Sequence, residues 1–262
     1  MNFLTIDFEE WYNVFGVDTS KYEKEKRLKE SCLSLLEVLE ETNTSATFFF
    51  LGKDIKDNKD LVKLISSKYD IGIHGYEHKL LQHLDIHSFK EDTLKAKEIL
   101  EDVSNKVVTK YRAAGFSLEK TEFFEVLCDC GIKIDSSLSA INHQYGKKTI
   151  SLDNIQQIHI PNTEKYIKEY PPTIFNIIGF KGFLGGGYFR ILPYKFIHNI
   201  ILSRQNQKKD TLIYIHPRDI DETLPYMNDV SSFRNFKNRV GVSKTKNKLK
   251  QILTTFPFTS IE

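Results

Sequence analysis

Two histidines four residues apart, His74 and His78, lie in the run Asp70-Ile-Gly-Ile-His-Gly-Tyr-Glu-His78, directly after a short apolar strand signal. A His-x-x-x-His pair can hold one metal ion when its segment is helical, because residues four apart then share a face. The spacing alone is weak evidence in a chain with eight histidines. Acids near the N-terminus strengthen it, where Leu4-Thr-Ile-Asp7-Phe-Glu9-Glu10 carries an apolar strand into a group of carboxylates. Two imidazoles and one carboxylate make a metal site with an open position, an arrangement suited to activating water for hydrolysis.

On an extended segment Asp7 and Glu9 point to one side and Phe8 and Glu10 to the other. Glu9 is therefore favoured as the metal carboxylate and Asp7 as a base, with Glu10 replacing Glu9 if a bulge shifts the phase. Arg112, placed near Asp7, would hold that carboxylate oriented and ionised. His216 precedes Pro217, which favours an extended backbone and a ring projecting from the strand end, and imidazole suits general-acid work.

The elements that must position these groups alternate between strand and helix. Phe3–Asp7, Ala46–Leu51, Asp70–Ile73, Val107–Tyr111 and Thr211–Ile215 read as strands, and another ends at Ile134-Asp135. Helical spacing runs through Leu28, Cys32, Leu35, Leu36 and Leu39, and through Asn58–Ser67, Lys120–Cys130 and Ser88–Val103, the last with Leu94, Ile99 and Leu100 on one side. The stretch between residues 136 and 210 is less regular. Repeated βα units imply a parallel sheet covered by helices, open or closed into a barrel. Asp7, His74, Arg112, Asp135 and His216 each fall at or just past a strand's C-terminal end, and in parallel α/β folds those ends share the face that carries active sites.

With 262 residues, 40% of them hydrophobic, the chain suits a single domain spanning 1–262. A net charge of +2 lacks the dense positive field that a phosphate backbone requires, so nucleic acid is not an expected partner. No apolar run reaches the roughly 18 residues of a spanning helix. The first residues lack the basic and apolar regions of a secretory signal, and three cysteines, Cys32, Cys128 and Cys130, suit reduced thiols. A cytoplasmic protein is expected. Oligomeric state is not set by these features.

The motifs together resemble the polysaccharide deacetylases of carbohydrate esterase family 4, and look most like their cytoplasmic branch found with exopolysaccharide and exosortase loci. Seven stretches carry the resemblance in the family's order: Thr5-Ile-Asp-Phe-Glu-Glu-Trp-Tyr12, Ala46-Thr-Phe-Phe-Phe-Leu-Gly52, His74-Gly-Tyr-Glu-His78, Tyr111-Arg-Ala-Ala-Gly-Phe-Ser117, Asp135-Ser-Ser-Leu138, Gly185-Gly-Gly-Tyr-Phe-Arg-Ile-Leu-Pro193 and Ile215-His-Pro-Arg-Asp-Ile-Asp221. The resemblance implies an α/β fold, a distorted (β/α) barrel of about seven parallel strands. It also implies hydrolysis of N-acetyl groups on an amino sugar, dependent on a divalent metal, with zinc expected.

By motif position the resemblance makes Asp7 the base, Glu9, His74 and His78 the metal ligands, Arg112 the tether of the base and His216 the acid. Asp135 would support His216 or touch substrate. Trp11, Tyr12, Tyr76 and Phe116 lie beside the motifs as sugar platforms or core residues, and the glycine run with Gly186 and Tyr188 would form a loop near the sugar. Ala114 stands where the family usually has Pro, and Arg218-Asp219 where a Trp-Glu pair is common. The expected substrate is an N-acylated amino sugar in a glycan or in a lipid- or nucleotide-linked precursor. Deformylation or hydrolysis of another amide on the same fold is the alternative, followed by a non-catalytic carbohydrate-binding scaffold.

Overall fold

Strand β1 (Asn2–Phe8) is buried along its whole length and sorts its side chains by alternation. Leu4, Ile6 and Phe8 pack into the main core beneath the helices, whereas Phe3 joins a separate inner cluster with Phe49, Tyr170, Leu212 and Ile261. Thr5 and Asp7 continue the inner phase and meet Arg112. In the computed structural model, which describes residues 1–13, 17–151 and 153–262, the odd positions of β1 thus face the inside of a curled sheet.

The other strands are β2 (Thr47–Phe50), β3 (Asp70–Ile73), β4 (Lys110–Tyr111), β5 (Ile134–Asp135), β6 (Gln156–His159), β7 (Tyr166–Glu169), β8 (Ile174–Ile177), β9 (Phe180–Phe183) and β10 (Thr211–Ile215). The helices are α1 (Leu28–Glu41), α2 (Gly52–Ile55), α3 (Lys59–Lys68), α4 (Ile86–Ser104), α5 (Glu122–Asp129), α6 (Gly186–Ile191), α7 (Tyr194–Asn206), α8 (Ser232–Arg239) and α9 (Val242–Thr255). The sheet runs β10-β1-β2-β3-β4-β5-β7-β6. Its first seven strands are mutually parallel, in keeping with the expected barrel, and β6 adds an antiparallel edge.

No strand ladder joins the two sides of this sheet among the described residues; irregular chain approaches closure instead. After β7, Thr173 donates its N–H to the Leu212 carbonyl of β10 and its hydroxyl accepts the Leu212 N–H. Tyr170 packs edge-on to Phe3 across the interior, with ring centroids 5.2 Å apart. Pairing of Gly185 with Tyr214 covers more of the β10 edge. The barrel is distorted because backbone between β7 and α6 does the work of a missing strand.

Most periodic segments form the expected elements, with ends shifted by a few residues. Leu94 is a correction: it is exposed on α4, whose buried side is formed by Phe89, Thr93, Ala96, Leu100 and Val103. The irregular stretch after residue 136 contains β6 to β9 and helices α6 and α7. Three free cysteines, Cys32 and Cys130 buried and Cys128 partly so, fill packing positions.

Candidate active site

His74 follows β3 directly, and its Nδ1 lies 2.9 Å from the Arg112 carbonyl oxygen. That contact fixes the ring through Nδ1 and leaves Nε2 out of the bond, as outer partners of metal-binding histidines do. The segment to His78 is not helical, so the two rings do not meet by helical spacing. Positive φ at Gly75 (+70°) and His78 (+56°) folds the loop back on itself, and its Tyr76 and Glu77 amides donate to the Asp92 carboxylate of α4 at 2.7 and 3.2 Å. This loop brings the rings to 5.4 Å between centroids.

Ligand atoms of Glu9, His74 and His78 all lie within 4.8 Å of one another. Glu9 Oε2 is buried and sits 3.0 Å from His78 Nε2. Burial pushes the His74 imidazole down to about 4, with charges of both signs around it, so the ring is neutral and available as a donor at neutral pH. Burial would raise the Glu9 carboxyl, but His78, Arg218 and His216 outweigh it and hold it well below the carboxylate range. An ionised carboxylate with two imidazoles fits a divalent ion such as zinc.

Glu10 lies on the other side of the extended chain. Its carboxylate accepts the Arg27 and Leu28 amides at 3.0 and 3.3 Å, at the start of α1, while its own N–H donates to Asp54 Oδ2. No bulge shifts the phase, and Glu10 stays out of the His74–His78 cluster.

Asp7 Oδ1 receives Arg112 Nη1 at 2.8 Å, with both side chains buried. The same nitrogen donates to Thr5 Oγ1, Nη2 donates to Ser136 Oγ at 2.6 Å, and Nε donates to the Ser136 carbonyl. Beneath the guanidinium lies the Phe49 ring, 4.3 Å from Cζ. Desolvation would raise the Asp7 carboxyl; Arg112, aided by His74 and His216, reverses this and keeps it below its ordinary value. Oδ2 faces His216 Nε2 at 3.7 Å.

His216 is held from behind. Asp219 Oδ2 is 3.1 Å from Nδ1 and also accepts the His216 backbone N–H at 2.8 Å. Arg190 Nε is 3.2 Å from the other Asp219 oxygen. Burial again opposes ionisation of Asp219, and His216, Arg190 and Arg218 overcome it. His216 Nε2 consequently points inward, 3.5 Å from Glu9 Oε1. The sequence reading missed Asp219 as the support of His216, although the His-x-x-Asp spacing, which lets the acid cap the turn it starts, was available.

Asp135 takes a different place from the one expected. It is buried, accepts Ser137 Oγ and N–H at 2.6 and 3.2 Å, and shares a side-chain hydrogen bond with Glu169. Ser137 Oγ in turn receives the Ala113 N–H at 2.8 Å. Asp135 therefore anchors the loop after Arg112, while Asp219 supports His216. Ala113 thus has its amide engaged, and Gly115 at φ +62° turns the chain past Ala114, where the family's Pro was expected.

The aromatic candidates divide. Trp11 and His216 line one cleft with Arg218, and Trp11 Nε1 donates to the Glu25 carbonyl at 2.7 Å. Tyr12 is buried with Trp11, Tyr22, Leu224 and Met227, and Tyr76 belongs to the main core with Lys95 over its ring. Phe116, at φ +53°, packs with Phe183 and Tyr214 beside Arg112. Tyr188 packs edge-on to Phe175 and Phe180 of the β8–β9 hairpin. Of the two readings, platform or core, Tyr12 and Tyr76 take core positions. Gly186, at φ +46°, adjoins the site: a Cβ there would lie 3.5 Å from His216 Cε1.

The Glu9–His74–His78 cluster, the Asp7–Arg112 pair and the Asp219–His216 pair thus meet at the C-terminal ends of β10, β1, β3 and β4. Residues 18–134 match the polysaccharide deacetylase family model. This deacetylase match contains His74, His78 and Arg112, and residues 136–262, with His216, match a domain of unknown function, DUF3473. No curated protein matches the chain. Among solved structures, a candidate polysaccharide deacetylase from Mycobacterium smegmatis is similar at TM-score 0.67 and 15% identity, covering 98% of this chain and 85% of that one. Puue allantoinase is similar at TM-score 0.64 and 12% identity, with 98% and 85% covered. A family 4 pseudoenzyme from Bacillus anthracis is similar at TM-score 0.53 and 16% identity, with 100% and 63% covered. The likeness to these structures establishes the polysaccharide-deacetylase fold. No helix among the described residues is long and apolar enough to cross a membrane.

Proposed function

We propose that this protein is a metal-dependent hydrolase that removes N-acetyl groups from an amino sugar. The observation that carries the reading is the convergence of Glu9, His74 and His78, whose ligand atoms lie within 4.8 Å of one another, beside Asp7 and His216. Bound there, a divalent ion, with zinc the best match to the donors, would polarise the amide carbonyl and acidify water.

The chain's own groups supply the proton movements. Asp7, ionised and fixed through Oδ1 by Arg112, presents Oδ2 to take a proton from the attacking water. His216, aimed by Asp219, presents Nε2 to protonate the departing sugar nitrogen, which would otherwise leave as a prohibitively basic anion. Arg112 serves as a positioning residue because its guanidinium is spent on Asp7, Thr5 and Ser136. Asp135 and Ser137 steady the loop that follows it.

We further infer that the two matched stretches form one catalytic domain, since β10 from the second pairs with β1 and His216 faces Asp7. The three unpaired cysteines support a reducing, cytoplasmic setting and a precursor as substrate. The seven motifs support placement in the exopolysaccharide-locus branch. The test is to load the purified protein with zinc, measure bound metal, and assay acetate and formate release from N-acetyl and N-formyl amino sugars. Acetate release dependent on metal supports the reading. Formate alone would make it a deformylase, and glycan binding without release of either would make it a scaffold.

A further inference from the structure

We propose that the cleft beside His216 binds an anionic group, a phosphate or a carboxylate, carried on or next to the amino sugar. This deepens the amino-sugar reading above and rests on it. Trp11, Arg190, His216, Arg218, Asp219 and Arg239 all line this cleft. Three guanidinium groups thus face one carboxylate. Asp219 is shared between Arg190 and His216, and Arg218 pairs with Glu9 at its inner side, so Arg239 is the guanidinium of the three with no ion pair among the described residues.

Arg218 connects the cleft to the reaction centre. One nitrogen donates to the Trp11 carbonyl at 3.2 Å, and the other lies 3.5 Å from Glu9 Oε1. These contacts fix the plane of the guanidinium without using all five of its N–H donors. Its side chain remains 22% accessible, against 1% for Glu9 behind it. Arg239 is fastened at the rim by its bonds to the Leu224 and Pro225 carbonyls and is exposed. Charged forks held in place before binding are suited to bidentate capture of a phosphate or carboxylate.

Trp11 forms part of the wall of the same cleft, its indole largely buried against Tyr12 and Tyr22 and locked by the Glu25 carbonyl. A sugar ring against this wall would have its amide toward His216 and a charged substituent toward Arg218 and Arg239. A neutral sugar would use only the wall and leave the guanidinium groups hydrated. Charge on the substrate would therefore set affinity more than the sugar itself.

Trp11 is the only tryptophan in the chain, so its fluorescence reports on this cleft without requiring turnover. The protein is titrated with N-acetylglucosamine, its 1-phosphate, its uridine-diphosphate conjugate and N-acetylmuramic acid. At least one anionic ligand should bind on the order of tenfold or more tighter than N-acetylglucosamine, and the tighter arm distinguishes phosphate from carboxylate. Arg218→Gln should abolish the preference and Arg218→Lys retain part of it, with unfolding temperature measured for both. Affinities equal within twofold, no binding by any of the four, or a preference unchanged in Arg218→Gln would overturn the proposal. Acetate release, assayed separately on neutral oligomers, tells loss of this proposal from loss of the hydrolase reading.

Discussion

Asp219 holds His216 at two points, its Oδ2 lying 3.1 Å from the ring Nδ1 and accepting the His216 backbone N–H at 2.8 Å. One carboxylate oxygen thereby sets both the turn and the ring orientation. Asp219→Asn should lower kcat on the order of 10²-fold, within the range for a mispositioned general acid, while bound metal stays stoichiometric. Steady-state kinetics with metal analysis checks this, and unchanged kcat would remove Asp219 from the positioning of His216.

Asp7 and Glu9 share a face but have different partners, Arg112 for the first and His78 for the second. Asp7→Asn should keep the metal and lose on the order of 10²-fold or more in kcat. An emptied site would make Asp7 a ligand.

Removal of a proposed ligand has the opposite signature. His74→Ala and Glu9→Gln should each lose bound zinc and activity together, and a chelator should do the same to the unaltered protein. Stoichiometric zinc in either variant, measured after dialysis, would remove that residue from the ligand set.

Asp135 and Glu169 form a buried carboxyl pair that retains a proton. Burial raises both, and Asp135 raises Glu169 further, well above its ordinary value of 4.5. The folded state then holds a proton that the unfolded chain releases above that value, so this contribution to stability is complete below pH 4.5 and falls as pH rises through the folded value. Glu169→Gln, which copies the protonated form, should flatten the loss on the alkaline side in pH-dependent thermal unfolding. Glu169→Leu would strip the Leu138 amide of its acceptor, while Ser137 N–H keeps Asp135, and should cost about 1–3 kcal/mol.

Gly185 is needed for closeness rather than for an unusual φ. A Cβ there would sit 2.2 Å from Tyr214 Cδ1 and 2.5 Å from the Tyr214 carbonyl oxygen. Gly185→Ala should therefore destabilise the fold by about 1–3 kcal/mol, and a melting temperature within one degree of the parent would argue against this contact.

Local pattern made much of the fold legible, because apolar strands and amphipathic helices repeat over short distances. The region holding β6 to β9 was not legible in this way: its strands are short, half exposed and bounded by irregular chain. Leu94 followed a helical pattern yet faces solvent, since a neighbouring element decides which flank of a helix is covered. The His74–His78 pair was visible as a spacing, but the loop that unites it depends on Asp92 and on two positive φ angles.

By itself, the sequence determined the residue types available for chemistry, the two-residue phase placing Asp7 and Glu9 together, and the strand ends that carry His74, Arg112 and His216. Those properties reside in neighbouring residues and their steric preferences. Only the tertiary structure decided that Glu10 caps α1, that Asp219 rather than Asp135 steadies His216, and that Tyr12 and Tyr76 are core. These outcomes depend on contacts made at a distance along the chain, as Arg112 reaches Asp7 across 105 residues, and such contacts exist only once the sheet has curled.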